Sequence, residues 1–105
     1  RKIMAYKILP FAETDLQESV DWYAMQQPGL DADFLTEIRK TIQHINQHPY
    51  AYQVKYRRKG LEVRQAPVDG FPYVVAFFVD EPIKTLIVFA IWHTARNPKK
   101  LKSRT

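Results

Sequence analysis

The chain has 105 residues, no cysteine and a formal net charge of +5 at pH 7. That length suits one domain, residues 1–105, and the missing thiols exclude a disulfide framework and a thiolate zinc site. Hydrophobic residues at 46% and charged residues at 26% belong to an ordinary soluble globular protein, and the basic excess favours an acidic or nucleic-acid partner. No apolar run approaches a membrane span and no signal-peptide pattern opens the chain, so a reducing, cytoplasmic setting without membrane contact is expected. Arg1, Lys2 and Ile3 precede Met4, which reads as the natural start.

Residues 5–9 alternate weakly up to Pro10 and predict a short first strand. Residues 12–27 then carry helical spacing, with Ala12, Leu16, Val20 and Tyr23 on one face. Thr14 and Gln17 resemble a capping box, which offers a later start for the same helix. Pro28-Gly29 ends it. A second helix is expected over residues 31–47, with Asp31 or Asp33 at its positive end and a stripe of Phe34, Leu35, Ile38, Ile42 and Ile45. So short a link makes the pair an antiparallel helical hairpin. Pro49 stops the second helix.

The remainder reads as strand. Residues 52–56 predict a short strand, Arg57-Arg58-Lys59-Gly60 a basic turn, and residues 61–66 an alternating strand. Pro67-Val68-Asp69-Gly70 is a turn. Residues 73–79 and 85–92 are dense in β-branched and aromatic side chains, and Asp80-Glu81-Pro82 separates them. Both runs are apolar on both faces, so this hairpin belongs at the centre of the core. Residues 97–105 form a basic tail, expected as a mobile end or a short helix too polar to build core alone. The fold class is α+β: a two-helix antiparallel hairpin on one face of an antiparallel β-sheet, order β-α-α-β-β-β(-β). The other sheet face then needs cover from the tail or from another chain.

Several polar groups are candidates for chemistry. His93 ends the last strand and could protonate a leaving 5′ oxygen in RNA cleavage, or simply hydrogen-bond backbone at a strand end. Arg64 and Arg96 could stabilise a phosphorane with Glu62 as base; Arg64 and Glu62, on one strand face, could equally form a solvated ion pair. Lys55, Arg57, Arg58 and Lys59 interleave with Tyr52 and Tyr56, which suits an RNA backbone or an acidic protein segment. Lys99, Lys100, Lys102 and Arg104 extend the basic surface along the tail. His44 and His48 stand one helical turn apart without an evident third ligand, so no metal is expected. With three glycines and none in a phosphate-loop pattern, no cofactor is expected either. Ser19 and Ser103 sit where no nucleophilic triad is credible.

The element order, Phe71-Pro72-Tyr73, and the run from Ala90 through Trp92-His93-Thr94-Ala95-Arg96 to Asn97-Pro98 resemble the RelE/ParE toxins of bacterial type II toxin–antitoxin pairs, also called plasmid-stabilisation proteins. The resemblance implies a cognate small acidic antitoxin that wraps the toxin. It also implies one of two targets: the ribosome, where RelE-like members cut messenger RNA without metal, or DNA gyrase, which ParE-like members block. RNA-cutting members tend to carry an arginine just inside the central strand, where this chain has Val74, and a tyrosine or further histidine near the end, where it has lysines and arginines. The Ile91-Trp92-His93 segment is closer to ParE-like sequences. The expectation is therefore a ParE-like gyrase inhibitor. The alternatives are a ribosome-dependent endoribonuclease working through Arg64, His93 and Arg96, and a non-toxic family member that only binds a partner.

Overall fold

The structure, a computed structural model, describes residues 4–105; the expected start at Met4 concerns the preceding residues, which lie outside it. Strand β1 (Ala5–Ile8) leads into Pro10, and the proline begins a helix rather than merely ending the strand. At the first helical position its missing N–H is no loss and its fixed φ is already helical. Helix α1 (Pro10–Gln26) thus starts earlier than expected, and Thr14 lies inside it instead of capping it. Gly29 turns the chain at φ 88°, a left-handed conformation that glycine adopts without strain. Helix α2 (Leu30–Gln47) follows, with Asp31 and Asp33 in its first turn. A single 3-10 turn, Pro49–Ala51, then leads to the sheet.

Strand β2 (Val54–Arg58) begins later than the sequence suggests and takes in Arg57 and Arg58. The turn to β3 (Leu61–Pro67) narrows to Lys59-Gly60, both left-handed at φ 52° and 79°, as a two-residue hairpin turn demands. Strands β4 (Tyr73–Asp80) and β5 (Thr85–His93) form the central hairpin, and a short helix α3 (Pro98–Lys102) closes the chain.

The sheet runs β1-β5-β4-β3-β2. Strands β2 to β5 are antiparallel, with Tyr73 opposite His93 at one end of the hairpin and Asp80 opposite Thr85 at the other. Phe89 is an extra residue in β5, because Phe77 pairs with Val88 and Ala76 with Ala90. Strand β1 lies parallel to β5, with Ala5 opposite Thr85 and Ile8 opposite Val88. The sheet is therefore mixed, and the expectation of an antiparallel one needs this correction. Four weakly alternating residues carry no signal of direction, and their partner is remote in sequence.

Both helices pack on one face. Phe34, Ile38 and Ile45 of α2 and Ala12 and Tyr23 of α1 meet Val75, Phe77, Leu86, Val88 and Ile91. Of the expected stripes, Leu16 and Val20 pack against this core half-buried, and Leu35 is half-buried too. Tyr23, Phe34, Phe71 and Tyr73 stack edge-on or tilted with centroids 5.0 to 6.2 Å apart, which anchors the helical hairpin at the start of β4. The opposite face buries Val63, Ala76, Phe89, Ala90 and Trp92 beneath Leu101 of α3. The tail is thus a short helix that adds to the core, started by the Asn97 side chain accepting from the Lys99 N–H at 2.9 Å.

Candidate functional site

The exit of β5 collects the polar groups that matter most. Strand β1 pairs with β5 only as far as Val88, and the Leu9 N–H donates to the Val88 carbonyl at 2.9 Å. Beyond that point side chains continue the ladder. The Ile91 N–H donates to Asp15 Oδ2 at 3.0 Å, and Arg104 Nη1 donates to the Phe89 carbonyl at 3.3 Å. Asp15, on α1 and only 5% exposed, also accepts from Arg104 at 2.6 and 3.0 Å, and Arg96 approaches it at 3.7 Å. Both guanidinium groups stack on the Trp92 ring, Arg96 at 3.8 Å and Arg104 at 4.9 Å from its centroid. A buried carboxylate, two arginines and an indole so lock α1, β5 and the tail together. Arg104, expected among the free partner-binding cations of the tail, is corrected to a structural ion pair. The reason is geometric: α3 turns it back onto the uncovered edge of β5.

Beside this cluster lies a cleft of about 680 Å³ between α1 and the β4–β5 ends. Glu18, Trp22, Pro72, Tyr73, His93 and Arg96 line it, and Trp22 is 56% exposed. His93 is half-buried, with its ring edge-on to Tyr73 at 5.0 Å. Its Nδ1 accepts from the Ala95 N–H at 3.0 Å, which leaves Nε2 to carry the proton in the neutral ring. The histidine is thus oriented by its own turn.

Arg64 stands elsewhere. Its Nε donates to the Tyr52 carbonyl at 2.8 Å, its guanidinium lies 5.1 Å from the Tyr50 ring centroid, and its side chain is 11% exposed. Glu62 approaches Arg64 at 3.4 Å and accepts from Arg57 at 3.0 Å, as a same-face ion pair predicts. The Tyr50 hydroxyl donates to Glu81; that bond foremost, and partial burial after it, raise the Tyr50 pKa above its ordinary value. Arg64 pairs with Phe77 and His93 with Tyr73, so four residues of β4 and two strand spacings separate them. That is about 13 Å along the sheet and about 10 Å across it. The fold brings His93 and Arg96 together and leaves Arg64 and Glu62 on another part of the same sheet face.

His44 and His48 have ring centroids 5.1 Å apart, and His44 Nδ1 is hydrogen-bonded to the Tyr52 hydroxyl. Among the described residues no group of three histidine, cysteine, aspartate or glutamate side chains is placed to hold a metal ion. Lys55, Arg58, Lys59, Lys99, Lys100 and Lys102 are exposed, while Arg57 is exposed but bonded to Glu62. Lys102 Nζ lies 5.2 Å from the Tyr56 ring centroid, so the tail and β2 are neighbours. Sequence reasoning passed over Asp15 and Trp22. Asp15 falls on a buried helix face, where a lone acid among apolar positions is a signal; Trp22 left no such mark.

The sequence model described as "ParE toxin of type II toxin-antitoxin system, parDE" matches residues 6–98. No curated protein matches the chain significantly. Among solved structures, the chromosomal ParDE toxin–antitoxin system from P. aeruginosa is similar at a TM-score of 0.72 and 19% identity, over 87% of this chain and 96% of that one. The RelBE2 toxin–antitoxin complex from Mycobacterium tuberculosis is similar at 0.59 and 14% identity, over 88% of this chain and 99% of that one. At such identities the structures speak to the fold alone. The family match runs from β1 to the first residue of α3, and the chain belongs to the ParE toxin family of type II toxin–antitoxin systems.

Proposed function

We propose that this ParE-family toxin acts by binding and blocking DNA gyrase, without cutting RNA, and that a cognate small acidic antitoxin neutralises it. The observation that carries the reading is the separation of Arg64 from His93. Metal-free RNA cleavage needs a base, an acid and a charge stabiliser converging on one phosphate. Here Arg64 is held by the Tyr52 carbonyl and the Tyr50 ring, and Glu62 is shared by two arginines. His93 and Arg96 share the cleft with the carboxylates of Glu18 and Asp15, the latter held by the Ile91 N–H and two arginines, and Arg64 is not among the groups that line it. Val74, where RNA-cutting relatives carry an arginine, packs half-buried against the outer core. The antitoxin half of the reading draws on the two similar structures, both toxin–antitoxin systems.

Two assays on the purified chain test it. Inhibition of gyrase supercoiling, together with intact message in a translation extract, is the expected pair of results. Cuts in ribosome-bound message that vanish in His93→Ala, with gyrase unaffected, would overturn it in favour of RNA cleavage.

A further inference from the structure

The fold joins two sets of cations that the sequence keeps apart. Tyr56 of β2 points to the outer sheet face, where α3 lies, and Lys102 sits over its ring. Arg58 is two residues further along the same face of β2, about 7 Å away, and Lys59 is at the hairpin tip. Lys99 and Lys100 are exposed on α3, and Lys55 is exposed at the irregularity in β2. Among the described residues none of these six cations is in an ion pair. Strand alternation puts Asp80 on this face too, at the end of β4 and across β3 from Arg58, about 10 Å away.

We propose that this face, from the β2–β3 tip to α3, binds the phosphate backbone of duplex DNA without reading bases. An acidic peptide fits it less well. Leu101 and Trp92 are buried, so the apolar side chains beneath α3 are not offered to a docked peptide. What remains is dispersed point charge, which gains most from a partner that releases condensed counterions, as a nucleic acid does. A single strand fits less well again, because bases need exposed aromatic faces and Tyr56 is half-buried with a lysine over its ring. The choice of DNA over duplex RNA rests on the gyrase reading, since gyrase presents the toxin with DNA. The surface would then hold the toxin beside the DNA that its target handles.

Fluorescence anisotropy with the full chain and a labelled DNA duplex, stepped through NaCl, tests the proposal without gyrase present. With four or five phosphates contacted, log affinity should fall against log salt with a slope of about −4. Lys99→Gln with Lys102→Gln, and separately Arg58→Gln with Lys59→Gln, should each weaken binding and flatten the slope by about 2. Arg39→Gln with Lys40→Gln, on α2 at the opposite side, should change neither. Circular dichroism on every variant separates lost charge from lost fold. An unchanged slope in both patch variants would overturn the proposal. So would single-stranded RNA or duplex RNA binding more tightly than the DNA duplex, or polyglutamate competing as well as DNA at equal charge. A failure here with supercoiling inhibition intact counts against the surface alone; lost inhibition with duplex binding intact counts against the gyrase reading.

Discussion

Asp15 is the residue on which the most separate groups depend. Its two oxygens serve a backbone N–H of β5 and two arginines. Asp15→Ala strands the Arg104 guanidinium, 14% exposed, without its carboxylate. Breaking a buried pair from one side costs about 3–5 kcal/mol, so the denaturant midpoint should drop sharply with the slope unchanged. Three tyrosines give stability a pH dependence. Tyr23 and Tyr52 are raised above 10.0 chiefly by burial, and Tyr50 by its bond to Glu81. A raised phenol binds its proton more tightly when folded, so its contribution is full below the unfolded pKa near 10.0 and is lost as pH rises through the folded value. Stability measured from pH 9 upward should fall in that alkaline window, and Tyr50→Phe should remove part of the fall. On the proposed gyrase reading, His93→Ala should leave supercoiling inhibition nearly intact, because the ring bonds to its own turn.

At the scale of elements, α3 is a lid of one side chain. Leu101 is 2% exposed and closes the outer core over Val63, Ala76, Phe89 and Trp92. Leu101→Ala should cost about 2–4 kcal/mol in chemical denaturation, and Leu101→Asp should in addition raise dye binding to the uncovered sheet. The helices and the central hairpin were legible in the sequence because their signals are local: period-3.6 stripes at Phe34, Ile38, Ile42 and Ile45, and doubly apolar runs around Asp80-Glu81-Pro82. The tail was not. One leucine among lysines has no periodicity, and its burial depends on where β5 releases the chain. The candidate site was legible by halves. His93 and Arg96 are close in sequence and share the cleft, whereas Arg64 was read as a partner because strand alternation tells the face of a residue and not its distance along the sheet.

Across the whole molecule, charge and apolar cover are separated. The sheet is covered by helices on one face and by α3 on the other, so an antitoxin need not act as a missing core layer. The exposed cations that remain would make association with the proposed acidic antitoxin a matter of attraction at a distance. Its on-rate should fall as ionic strength rises, while the off-rate changes less; stopped-flow mixing across a salt series measures both.

The parallel pairing of β1 with β5 sets a timetable for synthesis. Ala5 finds Thr85, and Asp15 finds Arg104, only across most of the chain's length. Such remote contacts bring no stabilisation until the intervening loop is closed, so they form late. A nascent chain stalled before residue 85 has its helical hairpin but not the strand that β1 joins, and one stalled before Arg104 leaves Asp15 without its closest cation. The chain therefore reaches its native shape only after the ribosome has nearly finished it, and a prematurely ended message yields fragments that cannot complete the sheet.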